Sequence, residues 1–341
     1  MSLRVILFPW LLCCLSVMAQ NDGKTVEGYL ERAQRSLQAE QPEMALEFVD
    51  YALQLDSNSH EALMQRVRIC SMLRRYEEAV DGCIRLKALA GEKPVELYTR
   101  WCNIYMNMNN AEAARDIVEE GLSLHPESFA LIYNKAHVLM SLKEYAKAYA
   151  CYERAFRMDP LADGPPFLLG MRADGQGHLA EALLYYLQNL MVDPQGEAAA
   201  FIMRQFSSWL QRETLPETAS HEDFLILEAM RELSSEPTPF GQPFAIVNKS
   251  LEVVLRDMLP REEGYEVKNF YRTDDPLNET CRRLYADMRS KGLLTAFLHN
   301  AAVTSGGGRN AEWLKTHHDE VMRVAEYMQT ATSKFEKEPA Q

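Results

Sequence analysis

Ala148-Tyr149-Ala150-Cys151-Tyr152-Glu153-Arg154-Ala155, running on to Asp159-Pro160, decides the fold, because the chain repeats this stretch on both sides. From the small residue that opens it, a series runs Ala45, Ala79, Ala114, Ala148 and Ala182, in steps of 34, 35, 34 and 34. Twelve residues upstream of each lies Ala33, Val67, Cys102, Ala136 or Gly170, and most of these are small. Four residues downstream lies a packing residue, Val49, Cys83, Val118, Tyr152 or Tyr186. Twelve downstream lie Ser57, Gly91, Pro126, Pro160 and Pro194, all helix-ending types.

Close packing explains why these residue types recur at this spacing. Two antiparallel helices approach closely only where both offer small side chains, as Ala136 with Ala148 and Gly170 with Ala182 would. The larger residue one turn later fills the gap toward the next pair, and proline stops the second helix and fixes the turn. Each pair can bury its remaining face only on its neighbour, so the units stack in series. The expected fold is all-α: a right-handed α-solenoid of about five helix pairs, followed by a helical C-terminal domain over 197–341. The pairs fall at about 26–59, 60–94, 95–128, 129–162 and 163–196.

This pattern resembles the tetratricopeptide repeat family, whose period is 34 residues, in its bacterial exported form. The resemblance covers about 26–196 and is strongest over 95–196, where Tyr105, Tyr152, Tyr186 and the three prolines fall in phase. In the first two repeats Val67 and Leu86 stand where small residues belong, and Ser57 and Gly91 replace proline, so irregular packing is expected over 26–93. The resemblance implies that the first helix of each pair lines a concave groove for a peptide or a helix. The inward positions are then Gln34, Met64 with Arg68, Thr99 with Asn103, Tyr133 with His137, and Phe167 with Met171. Met and Tyr suit adaptable recognition, and the amides and Arg68 suit backbone or carboxylate groups. The same residues would also serve to seat the C-terminal region. Some family members grip a terminal carboxylate with Lys, Asn and Arg on successive first helices. Arg68, Arg100, Asn103 and Asn134 come nearest here, but Glu27 and Leu30 stand at the first-repeat positions, which argues against such a clamp.

The N-terminus reads as an address. Arg4 precedes an apolar run over Val5–Leu15, and Val17-Met18-Ala19 offers small residues before a cut that would leave Gln20 first. This is the layout of a cleaved secretory signal over 1–19, with a run too short to span a bilayer. Cys13 and Cys14 keep a lipoprotein reading open, though Leu12 or Cys13 would precede the modified residue. The expected location is periplasmic or secreted, and no other segment reaches 18 consecutive apolar residues.

The 341 residues carry 36 Lys+Arg against 49 Asp+Glu, a net charge of −13 that argues against nucleic acid as a principal partner. Beyond the signal the balance is −8 over 20–196 and −6 over 197–341, a general acidic surface. Cys70, Cys83, Cys102, Cys151 and Cys281 are odd in number and widely spaced, with no CxxC pair. Thiols packed in helices are therefore expected, and not a disulfide framework. Sequons occur often by chance, so those at Asn248 and Asn278 fit either a periplasm or a secretory pathway.

After Glu197 the period is expected to be lost. Helices are expected at Ala198–Arg212, His221–Leu233 with Ser220 as cap, Ala245–Met258, from Asp275 to Gly292, and from Asn310 to about Thr330. Pro237, Pro239 and Pro243 mark a turn, and Tyr265–Arg272 is a short strand or an extended loop. Ser305-Gly306-Gly307-Gly308-Arg309 lacks the GK[ST] ending of a phosphate loop. His317-His318-Asp319-Glu320 offers at most two ligands on one face, and His221-Glu222-Asp223 reads as a charged first turn. No GxSxG, HExxH or supported catalytic Cys is present. The expected role is therefore an exported, non-catalytic adaptor for a protein or peptide, with no cofactor and no metal. The alternatives are a lipid-anchored or peripheral structural component of an outer-membrane assembly, and an enzyme with a site in 197–341.

Overall fold

The first four helix pairs are α1 (Val26–Gln38) with α2 (Pro42–Leu55), α3 (His60–Met72) with α4 (Tyr76–Ala88), α5 (Val95–Asn107) with α6 (Ala111–Leu124), and α7 (Phe129–Ser141) with α8 (Tyr145–Met158). The computed structural model describes residues 25–89, 91, 93–159, 162, 164–193, 196–233, 245–250, 284–301 and 308–335, and among these all regular structure is helical. The chain divides into two compact units, Met1–Cys151 and Tyr152–Gln341, with the division falling inside α8. The boundary expected near residue 196 lies within the second unit.

The first unit is built from one local device used repeatedly. Glu40, Arg74, Asn109 and Lys143, in steps of 34, 35 and 34, each take a left-handed conformation, with φ of 57°, 58°, 56° and 62°. Each follows a first helix, and the next backbone N–H donates back to the carbonyl five residues earlier. The bonds are Gln41 to Ser36 at 2.8 Å, Arg75 to Cys70 at 2.8 Å, Asn110 to Tyr105 at 2.9 Å and Glu144 to Leu139 at 2.9 Å. This closure satisfies the last helical carbonyls and turns the chain tightly into the second helix. Gly177, 34 residues after Lys143, closes the fifth turn at φ 82°. The starts of first helices are also in phase: Thr25, Ser59 and Ser128 each accept a hydrogen bond from the N–H three residues on.

Within this unit α2, α4 and α6 each pack on their own first helix and on the next, and α5 touches both α3 and α7. Ala45, Ala79, Ala114, Ala136 and Ala148 are fully buried, as the crossings require. The irregular packing expected over 26–93 is not found, and α1–α4 carry the same turns. Val67 is accommodated because Gly82 opposes it, and a Cβ on Gly82 would stand 2.6 Å from Val67 Cγ2. The small residue that admits this valine is thus three positions beyond Ala79.

In the second unit α9 (Pro165–Gln176) pairs with α10 (Leu179–Val192). The space at Gly170 is filled by the ring of Tyr186, whose Cδ1 would lie 2.6 Å from a Cβ there. α10 is buried at every position from Ala182 through Leu190. The reason is its central place: it packs against α9, α11 (Glu197–Trp209), α12 (His221–Leu233) and α13 (Leu294–Ala301).

The repeat phase reaches one helix further than expected. α11 begins at Glu197, where a sixth first helix would stand, but α12 packs more closely on α10 than on α11. The C-terminal expectation of one helix from Asn310 is corrected to two, α14 (Arg309–Thr316) and α15 (His318–Phe335). The break is at His317, whose N–H still donates to Trp313 O at 3.1 Å while its ring stacks flat on Trp313 at 3.9 Å. α13 was not anticipated, whereas His221–Leu233 appears with the expected bounds. Residues 245–250 and 284–290 are helical, within the spans expected from Ala245 and from Asp275. The signal segment with Cys13 and Cys14, the prolines at 160, 194, 237, 239 and 243, Tyr265–Arg272, Asn278, Cys281 and Ser305–Gly307 lie outside the described residues.

Candidate functional site

Helical geometry puts residues three and seven apart on one stripe, so each first helix of the first unit presents three positions side by side. The stripes are Glu27-Leu30-Gln34 on α1, Glu61-Met64-Arg68 on α3, Glu96-Thr99-Asn103 on α5 and Ala130-Tyr133-His137 on α7. Gln34 and Asn103 are exposed, and Met64, Arg68, Thr99, Tyr133 and His137 are half-buried. The face therefore carries an acidic row that ends at Glu96, a largely apolar row and a polar row. In the second unit, Phe167 is half-buried on α9 and Met171 is 39% exposed.

Several contacts fix these side chains. Tyr133 sits between Phe129, stacked at 5.9 Å, and His137, edge-on at 4.5 Å, so three rings form a ladder along α7. Asn134 Nδ2 donates to Thr99 O at 3.3 Å and ties α7 to α5. Burial lowers the pKa of His137 below its ordinary value, which favours the neutral imidazole at neutral pH.

Two arginines on α3 differ in a way that bears on function. Arg66 is paired with Asp50 of α2 at 3.0 Å and with Glu78 of α4 at 2.8 Å. Arg68 has no hydrogen bond or ion pair among the described residues, and its Nε is shut off from solvent without an acceptor. A guanidinium held this way is a donor set with an unmet demand.

The arrangement offers apolar contact and hydrogen bonding. The thiols nearby are poorly reactive: burial pushes Cys83 and Cys102 up to about 12 and raises Cys70. Cys70, Cys83 and Cys102 are free thiols, in keeping with the expectation. Among the described residues no group of three His, Cys, Asp or Glu side chains is placed to hold a metal, and no helix is long and apolar enough to cross a membrane. In the His221-Glu222-Asp223 run, Asp223 is committed to structure. Its carboxylate accepts from Ala180 N at 2.8 Å and Ser220 N at 2.7 Å, while Ser220 Oγ accepts from Asp223 N at 3.2 Å.

Residues 129–160 match the tetratricopeptide repeat family model. Sperm-associated antigen 1A of Danio rerio is 26% identical over 102 residues, a match that spans 30% of this chain and 24% of that protein. Among solved structures, a tetratricopeptide repeat protein from Parabacteroides merdae aligns with 11% identity over 89% of this chain and 98% of its own, at a TM-score of 0.44. PilF of Pseudomonas aeruginosa aligns with 18% identity over 54% of this chain and 83% of its own, at a TM-score of 0.47. Residues 129–160 thus resemble a tetratricopeptide repeat, and the left-handed turns recur at the same spacing on either side of them.

Proposed function

We propose that the chain is an exported, non-catalytic adaptor whose first-helix face in the first unit receives an extended or helical segment of a protein partner. The observation that carries this reading is Arg68, an unpaired guanidinium on the same stripe as Met64 and in the same row as His137. A partner segment would supply acceptors to Arg68 and Asn103 and apolar side chains to Met64 and Tyr133. Fixed aromatic rings offer contact area at little entropic cost.

Crosslinking in native extracts, followed by affinity capture, tests the reading. Met64→Ala with Tyr133→Ala should lose the crosslinked partner while the helical content stays unchanged, and unchanged capture would remove this face from the account. Export rests on Arg4 and the Val5–Leu15 run. Mass spectrometry of the mature N-terminus separates the two exported forms: Gln20 marks a soluble adaptor, and acylated Cys13 or Cys14 marks an anchored component.

A further inference from the structure

The stripe register does not stop at α9. Phe201 and Gln205 on α11 stand 34 residues after Phe167 and Met171, the positions that carry the face on α9. The two phenyl rings meet directly: Phe167 and Phe201 are 5.4 Å apart, edge to face at 81°. Both are half-buried, and Met171 on the same stripe is 39% exposed. Arg204 is exposed and lies over the Phe201 ring at 5.9 Å, with no hydrogen bond or ion pair among the described residues. By contrast, Arg172 is paired with Glu153 at 2.8 Å, and Arg212 with Asp174 at 2.8 Å. No acidic side chain stands within a turn of Arg204 on α11, and Gly164 and Ala198 occupy the positions that hold Glu27, Glu61 and Glu96 in the first unit.

From this we infer a second docking site, formed by Phe167, Met171, Phe201, Arg204 and Gln205, for a protein segment that carries an aliphatic or aromatic side chain flanked by carboxylates. The apolar side chain enters against the aromatic pair, and a carboxylate takes the guanidinium that the chain itself leaves unpaired. Charge complementarity selects the occupant, since the only charge among these five residues is positive and apolar contact alone would not discriminate. The cation over the ring also holds the guanidinium plane ready for a carboxylate. The inference rests on the reading of the first-helix stripe as a binding face, and it adds a site on a helix beyond the five expected pairs.

The test uses the full chain and two fluorescein-labelled synthetic peptides, one alternating Phe or Leu with Glu and the other carrying Lys in place of every Glu, read by fluorescence anisotropy. The Glu peptide should bind at least ~10-fold more tightly than the Lys peptide, a difference that high salt reduces. Arg204→Glu should reverse this preference without changing thermal unfolding, because the side chain is exposed. Phe201→Ala should weaken the Glu peptide, and Met64→Ala with Tyr133→Ala should leave this interaction intact. Equal binding of both peptides, no binding of either, or no response to Arg204→Glu would each overturn the site. So would self-association that Arg204→Glu abolishes, which would make a second copy the occupant. Loss of crosslinked partner in the Met64 and Tyr133 variant, with the peptide preference absent, would leave the adaptor reading standing and remove this site alone.

Discussion

The two units bury different chemistry. In the first, the buried side chains are almost wholly apolar, with Ser36 the only polar residue among the described buried ones. In the second, Asp174, Gln188, Asn189, Glu222, Asp223, Ser250, His299 and Asn310 are all buried. The first unit is held by a short list of local contacts used again at each repeat. The second is held by single polar anchors that join distant parts of the chain, such as Trp209 Nε1 donating to Asp174 Oδ1 at 3.0 Å and Ala180 N donating to Asp223 Oδ1 at 2.8 Å. A repeat array tolerates one irregular position because its neighbours carry the same contact, whereas a one-off anchor has no substitute.

The sharpest way to break this comparison is to remove an anchor. Asp174→Ala leaves Trp209 Nε1 and the Tyr186 hydroxyl without their acceptor and removes the carboxylate from Arg212, which keeps only the backbone carbonyl there. The change should cost the second unit about 3 kcal/mol. Hydrogen exchange should quicken over 165–212 while 26–141 keeps its protection; uniform loss across both would show that the units do not differ in this way. Asp223→Ala removes acceptors from the N-termini of α10 and α12 together and should cost roughly 2 kcal/mol. Ser128→Ala, which removes one ordinary cap in the first unit, should cost ~1 kcal/mol; urea titration of all three variants ranks them.

The turns give a smaller contrast with opposite signs. At Lys143 the left-handed conformation is held by a residue with a Cβ, so Lys143→Gly should be neutral or stabilising by up to ~1 kcal/mol. At the equivalent Gly177 a Cβ would also stand 2.5 Å from Pro216 Cδ, so Gly177→Ala should cost ~1–3 kcal/mol. Thermal unfolding of the two variants decides the point, and equal effects would contradict the turn equivalence.

The weakest expected effect is on acid stability. Burial holds the Asp174 carboxyl above its ordinary value of 3.8 despite Arg212. A raised folded pKa means that proton binding at Asp174 favours the folded state fully below 3.8, and that this pH-dependent part, separate from its hydrogen bonds, is lost as pH rises through the folded value. Glu144 has the opposite sign: the hydrogen bond from Lys147, at 2.6 Å, and the Arg115 ion pair hold it below 4.5. Its contribution is present above 4.5 and fades as pH falls through the folded value. Acid titration of Asp174→Asn and Glu144→Gln against the parent chain should therefore remove slopes of opposite sign.

The same contrast explains what the sequence could reveal. The first unit was legible because Ala45, Ala79, Ala114 and Ala148 mark equivalent contacts, and a period can be read without knowing the partners. The left-handed turns were not, since Glu40, Arg74, Asn109 and Lys143 are ordinary residues at a position where glycine would have given the signal. Gly82 was missed because it compensates for Val67 from the opposing helix, a contact that a single-position series does not contain. In the second unit, Tyr285 meets Gln188 across 97 positions at 3.5 Å, and no local pattern encodes such a pairing. Of the candidate face, its position on the first helices was readable, but the unpaired state of Arg68 needed the placement of Asp50 and Glu78 beside Arg66.

The central claim is that the first-helix face, and not the second-helix side, receives the protein partner. Site-specific photocrosslinking tests it most directly, with a benzophenone amino acid placed at Tyr133 on α7 or at Tyr145 on α8, where the side chain is 51% exposed. The account predicts a discrete protein adduct from position 133 and none from position 145. An adduct formed at position 145 alone would contradict it.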